Sequence, residues 1–215
     1  MAAESQYTQL LDAAVQELQR NVGAAEGAAA ALVERLVAAA GSHRRIAVYG
    51  VGREGLAMKG FAMRLYHMGL QASVVGDMTA ARLGPGDLLL MSAGPGIFAT
   101  VQALCGVATA AGATTLALTS QPGIAARLGA SQVLHIPATC MAAEEAGDEA
   151  TTAVAEAGAK PGAEPAAAAA PPSPLLLGSS YELALQLFFD LVCAQLVQRL
   201  QLSPEQLAAR HTNLE

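Results

Sequence analysis

Two glycine-rich turns hold the residues of this sequence best suited to chemistry. The first is Gly50-Val51-Gly52-Arg53-Glu54-Gly55, after the apolar run "RIAVY". The second is Ser92-Ala93-Gly94-Pro95-Gly96, after "DLLLM". Turns of this kind bring backbone N–H groups close to an anion at the start of a helix. A Gly-x-Gly-x-x-Gly turn alone also fits a dinucleotide, and Asp77 stands near the end of the next strand, where such sites place an acid. Three features oppose a dinucleotide. Two helical segments precede the first strand, no length remains for a separate substrate domain, and a second glycine turn follows the third strand. Two turns at adjacent strand ends suit one compact phosphorylated ligand.

The elements that must position these turns follow from hydrophobic period. Residues 5–20 place Tyr7, Leu10, Leu11, Ala14 and Leu18 at helical spacing, and residues 24–40 place Leu32, Leu36 and Val37 on one helix face. The period then shortens. Strands are expected at 45–50, 72–76, 87–92, 114–120 and 132–137, with helices at 53–68 and 98–111 and a short one in "PGIAARLG". This alternation predicts a parallel sheet covered on both faces. From residue 138 to 174 the chain is rich in Ala, Glu, Gly and Pro without long apolar periodicity, the composition of a disordered insert. Helical patterning resumes at Ser179, with Tyr181, Leu185, Phe188, Val192 and Leu196 in one stripe. Ser203-Pro204 reads as a cap followed by proline at the first helical position.

Composition narrows the function. At 215 residues the chain is read as one domain, 1–215. Net charge is −6 and the basic residues are scattered, so no nucleic-acid partner is expected. No run of 18 strongly apolar residues stands out, so no membrane span is expected. Cys105, Cys140 and Cys193 lack paired spacing and suit reduced thiols. The N-terminal segment carries acids early and lacks the features of a signal or transit peptide, which points to the cytoplasm.

The segments "YGVGREG", "FAMRLYHMG" (61–69), "TTLALTSQP", "LGSSYELALQLFFDLV" (177–192) and "RHTNLE" (210–215) together resemble the sugar isomerase (SIS) domain family, and within it 6-phospho-3-hexuloisomerase. The resemblance covers nearly everything except the insert. It implies an α/β fold, a three-layer α/β/α sandwich with a five-stranded parallel sheet of flavodoxin-like type, here preceded by N-terminal helices. It also implies homotetramers and interconversion of a hexulose 6-phosphate with fructose 6-phosphate, with no cofactor and no metal.

Moving a carbonyl between neighbouring sugar carbons requires taking a proton beside the carbonyl and returning it next door. One carboxylate can do both through an enediol. Glu182 matches the family glutamate for this role, although Ser179-x-x-Glu182 also reads as a capping box. His211 matches a histidine near the family's active site, donated by a neighbouring subunit. His67 matches a family position but reads as packing or as a partner of the helix C-terminus. His43 and His135 read as structural or solvated. The residues expected at a phosphate are Gly50, Gly52, Arg53, Ser92, Gly94, Gly96, Ser179 and Ser180. Departures accompany the matches. Glu54 stands where the family has serine, Pro95 falls near a second serine, and Phe98 replaces a threonine. These changes leave a non-catalytic phosphosugar-binding or regulatory module as the alternative.

Overall fold

The computed structural model describes residues 5–140, 173–211 and 213. Most of the segment expected as an insert, residues 141–172, lies outside them. Two helices come first, α1 (Gln6–Gly23) and α2 (Glu26–Gly41). Then follow β1 (Arg45–Gly50), α3 (Gly52–His67), β2 (Gln71–Val74), β3 (Leu88–Ser92) and α4 (Ala99–Ala110). The chain continues through β4 (Thr114–Thr119), the one-turn α5 (Pro122–Ala125) and β5 (Gln132–His135). It closes with α6 (Ser179–Arg199) and α7 (Pro204–Ala209).

The five strands form one parallel sheet in the order β2-β1-β3-β4-β5. Side chains alternate between its faces, as a strand's period of two requires. Ile46, Val48, Leu88, Leu90, Leu116, Leu118 and Leu134 meet α2, α3 and α6 on one side. Ala47, Leu89, Met91 and Ala117 meet α4 and the α5 segment on the other. This is the expected three-layer α/β/α sandwich, in the flavodoxin-like strand order.

Helix α6 is the central element of the first layer and packs on α1, α2 and α3. Its stripe Tyr181, Leu185, Phe188, Val192 and Leu196 is at most 1% exposed. Among the described residues this one helix is long and apolar enough to cross a membrane, and half of its apolar window is buried inside the fold. The opposite side of α6 leaves Leu183, Leu187 and Leu191 exposed at i, i+4 and i+8. On α1, Tyr7, Leu10, Leu11 and Val15 are exposed as well, so much of the stripe read from the sequence is uncovered in a single chain. The start of α7 is as expected: Ser203 and Gln206 form a reciprocal capping box, with Pro204 in the first turn.

Phe61 of α3 stacks on Phe189 of α6, with ring centroids 4.0 Å apart and planes 8° from parallel. Both rings are about 1% exposed. Truncating such a ring leaves a cavity that neighbours fill only partly, at a cost of about 3–5 kcal/mol. Phe189→Ala is expected to lower the thermal midpoint by roughly 10 °C, followed by circular dichroism. A shift below roughly 2 °C would place this stack outside the stabilising core.

Candidate functional site

The strand order reverses between β1 and β3. In open parallel sheets the crevice beyond the C-terminal strand ends at such a point is where ligands bind. Gly50, the last residue of β1, pairs in register with Ser92, the last residue of β3. Both glycine turns therefore leave the sheet side by side. Helix α3 starts directly over β1. A Cβ at Gly55 would lie 2.6 Å from the Gly50 carbonyl oxygen, and one at Gly50 would lie 2.9 Å from the Gly55 nitrogen. Only glycine at both positions lets the helix start this close to the strand end. Helices α3, α4 and α6 have Val51, Phe98 and Gly178 at their N-caps, and none of these gives a side-chain cap.

Between the two turns lies a buried carboxylate. Glu54, in the first turn of α3, is 8% exposed. Ser92 Oγ donates to Glu54 Oε2 at 2.6 Å, and the Gly94 N–H donates to both carboxylate oxygens at 3.1 Å. Tyr181 Oη is 3.2 Å from Ser92 Oγ and extends the network to α6. Burial pushes the Glu54 carboxyl above its usual value; the bonds from Ser92 and Gly94 oppose the rise, and nearby Glu182 adds to it. Burial also pushes the Tyr181 phenol well up, with the Glu54 charge acting in the same sense. Gly94 must be glycine here. A Cβ would meet Glu54 Oε1 and the Tyr181 ring, each at 2.8 Å.

Towards solvent, the neighbouring residues on the same two helices form a second pair. Arg53 Nε lies 3.0 Å from Glu182 Oε1, with the arginine side chain about half exposed and the glutamate less so. The guanidinium also donates to the Leu177 carbonyl at 2.5 Å. Desolvation raises the Glu182 carboxyl above the ordinary carboxylate value, and Arg53 opposes the rise. The structure therefore brings Arg53 and Glu182 together at the switch point, which the sequence did not pair explicitly. The expected capping box at Ser179 is not formed. Gly178, at φ 78°, is the N-cap and Ser179 is already helical, so Glu182 is not committed to a backbone N–H and faces Arg53 instead.

Several expected phosphate contacts have other partners. Ser92 and the Gly94 N–H are turned to Glu54. Ser180 is fully buried, donates to Glu17 of α1 and accepts from Asn21 Nδ2 at 3.2 Å, so it ties α1 to α6. The Cβ position of Gly96 is filled by Ile124, and φ there is 100°. Gly52, at φ 57°, has open space at its Cβ position, and Ser179, the first residue of α6, is half-buried. His211 is not near Glu182 in the same chain. Its ring stacks on His67, with centroids 4.9 Å apart, at the far end of α3. Sixteen residues of helix separate that end from Arg53's, about 22 Å. Among the described residues no His, Cys, Asp or Glu cluster could hold a metal ion.

No protein-family model matches the chain. A 3-hexulose-6-phosphate isomerase of Bacillus subtilis is 29% identical over 174 residues, covering 81% of this chain and 82% of that protein. One of Mycobacterium gastri is 40% identical over 94 residues, 44% of this chain, and the matched part spans about half (47%) of that relative's length. A crystal structure from Methanococcus jannaschii, described as inferring a 3-hexulose-6-phosphate isomerase function, superposes with a TM-score of 0.71 at 22% identity. That match covers 98% of this chain and all of the other, and it shows the shared fold. The chain is thus similar in sequence to 3-hexulose-6-phosphate isomerases and shares the fold of that crystal structure.

The buried carboxylate has a consequence for stability. A carboxyl whose folded pKa is raised holds its proton longer in the native state than when unfolded. The contribution of this group to stability is then fully present below the ordinary value of 4.5 and is lost as pH rises through the raised one. Glu54→Gln removes this titration. The thermal midpoint of the wild type relative to Glu54→Gln is expected to fall as pH is raised from about 4 to 7. A constant difference across that range would show that Glu54 titrates as an exposed glutamate does.

Proposed function

We propose that this chain is a phosphosugar isomerase that interconverts a 3-hexulose 6-phosphate and fructose 6-phosphate, with Glu182 as the proton-transfer group. The supporting observation is the Arg53–Glu182 pair, held at the sheet's switch point between uncapped helix starts. The similarity to 3-hexulose-6-phosphate isomerases supports the substrate class. Glu182, as carboxylate, takes the proton from C2 of the 3-ketose. The electron pair forms the 2,3-enediol, the hydroxyl proton passes from O2 to O3, and Glu182 returns its proton to C3. Partial desolvation makes Glu182 a stronger base than a solvated glutamate, and Arg53 keeps it charged and oriented. The positive ends of the helices offset negative charge on the ligand. Gly52 and Ser179 offer the open backbone and hydroxyl on this side.

His211 reaches such a site only from another copy. The exposed apolar residues of α1 and α6 give a second copy a surface to cover. A homotetramer of two-fold symmetry in the cytoplasm is part of the proposal. A second reading, a phosphosugar-binding module without turnover, is favoured by one observation: Glu54 holds the donors of the second turn.

A coupled assay for fructose 6-phosphate tests the first reading. Glu182→Gln is expected to lower kcat at least a hundredfold, the scale of a lost general base. Activity of the wild type should fall on the acid side with a midpoint above the ordinary 4.5 of a glutamate, because the protonated form cannot accept the C2 proton. Undetectable wild-type turnover with intact ligand binding would leave the second reading in its place. Light scattering is expected to give about four times the 21.8 kDa of one chain, and a monomer at micromolar concentration would contradict the shared site.

A further inference from the structure

We propose that Glu54 is a built-in occupant of the phosphate seat on the second glycine turn, and so limits which phosphorylated ligands this chain accepts there. The inference rests on reading the switch point as a phosphosugar site. A phosphate bound at a glycine turn takes hydrogen bonds from backbone N–H groups and hydroxyls. Two donors of this turn, the Gly94 N–H and Ser92 Oγ, already end on the Glu54 carboxylate. The carboxylate lies directly over the turn, 2.8 Å from where a Gly94 Cβ would stand. It is a small anion with acceptor oxygens, as a phosphate is, and it is attached to the chain.

The rest of the turn agrees with this assignment. Ala93 and Phe98 have no hydroxyl, and Pro95 has no N–H to give. A turn that kept its donors for a ligand would leave buried polar atoms unsatisfied when empty. Here, among the described residues, no buried side-chain nitrogen or oxygen lacks a partner. The side chains of the turn are satisfied without a ligand. An incoming phosphate has to displace Glu54 from two donors, and Glu54 would then face it as a second anion. Phosphorylated ligands are left with Arg53 and the uncapped first N–H groups of α3 and α4.

Calorimetry of the full chain with inorganic phosphate tests this, since it needs neither a sugar nor turnover. Glu54→Ser empties the seat and frees both donors, so phosphate should bind at least tenfold more tightly than to the wild type. Glu54→Gln removes the charge but keeps an acceptor over Gly94, so its affinity should stay within about threefold of the wild type. An unchanged Glu54→Ser would overturn the proposal. So would a Glu54→Gln that gains as much, because charge repulsion would then be the whole effect. If Glu54→Ser does not fold, the wild type still decides. On phosphate titration its Gly94 amide resonance should stay fixed while that of Arg53 moves; movement of Gly94 would overturn the proposal. Failure of the isomerase assay alone would count against the proposed reaction and leave this result standing.

Discussion

A carboxylate taken out of water must be hydrogen-bonded, and much of this molecule's functional edge is arranged around one such group. Glu54 is held by Ser92 from the end of β3 and by the Gly94 N–H from the following turn. Through Ser92 it also reaches Tyr181 at the start of α6. Three elements are thus fixed to one another by a single side chain. Removing one partner would leave a buried polar group unsatisfied, the costly case for hydrogen bonds. The outward pair depends on this inner network through chain adjacency. Arg53 precedes Glu54, and Glu182 follows Tyr181, so the geometry that buries the inner residues sets the outer ones facing each other.

The sheet provides the platform for this arrangement. Parallel strands with apolar side chains on both faces demand helices above and below, and the change of direction between β1 and β3 leaves a crevice that neither layer fills. Gly50 and Gly55 let α3 descend onto the strand end, which brings Glu54 within reach of the second turn. The glycines that the sequence marks for an anion therefore act here mainly as close-packing positions. Gly50, Gly94 and Gly96 each have protein atoms where a Cβ would be.

Much of the fold was legible in the sequence because it rests on period. The apolar runs expected as strands at 45–50, 87–92 and 114–120 and the Tyr181–Leu196 stripe stand out, and the structure places the strands within one residue of those bounds. Strand 72–76 was displaced by one or two residues, since β2 is a short edge strand with little apolar pattern. The site was harder. A glutamate is ordinarily exposed, so nothing local signalled that Glu54 would be buried between two turns; only its spacing from Ser92 across the sheet register creates the contact. Ser179-x-x-Glu182 has the letters of a capping box, but the left-handed Gly178 begins the helix one residue early for that pattern. Ser180 is turned from the ligand side by Glu17 of α1, a contact 163 residues apart in sequence that no local motif marks. The position of His211 depends on α7 turning back along α3, which no short motif encodes.

The burial of Glu54 between the two turns is the central claim, and its side-chain carboxyl can be followed directly by carbon-13 NMR as pH is varied. The account predicts a titration midpoint displaced above the ordinary 4.5, with the Gly94 amide resonance shifting over the same range because it reports the same proton. A midpoint at the ordinary value, with a Gly94 amide that does not respond, would contradict it.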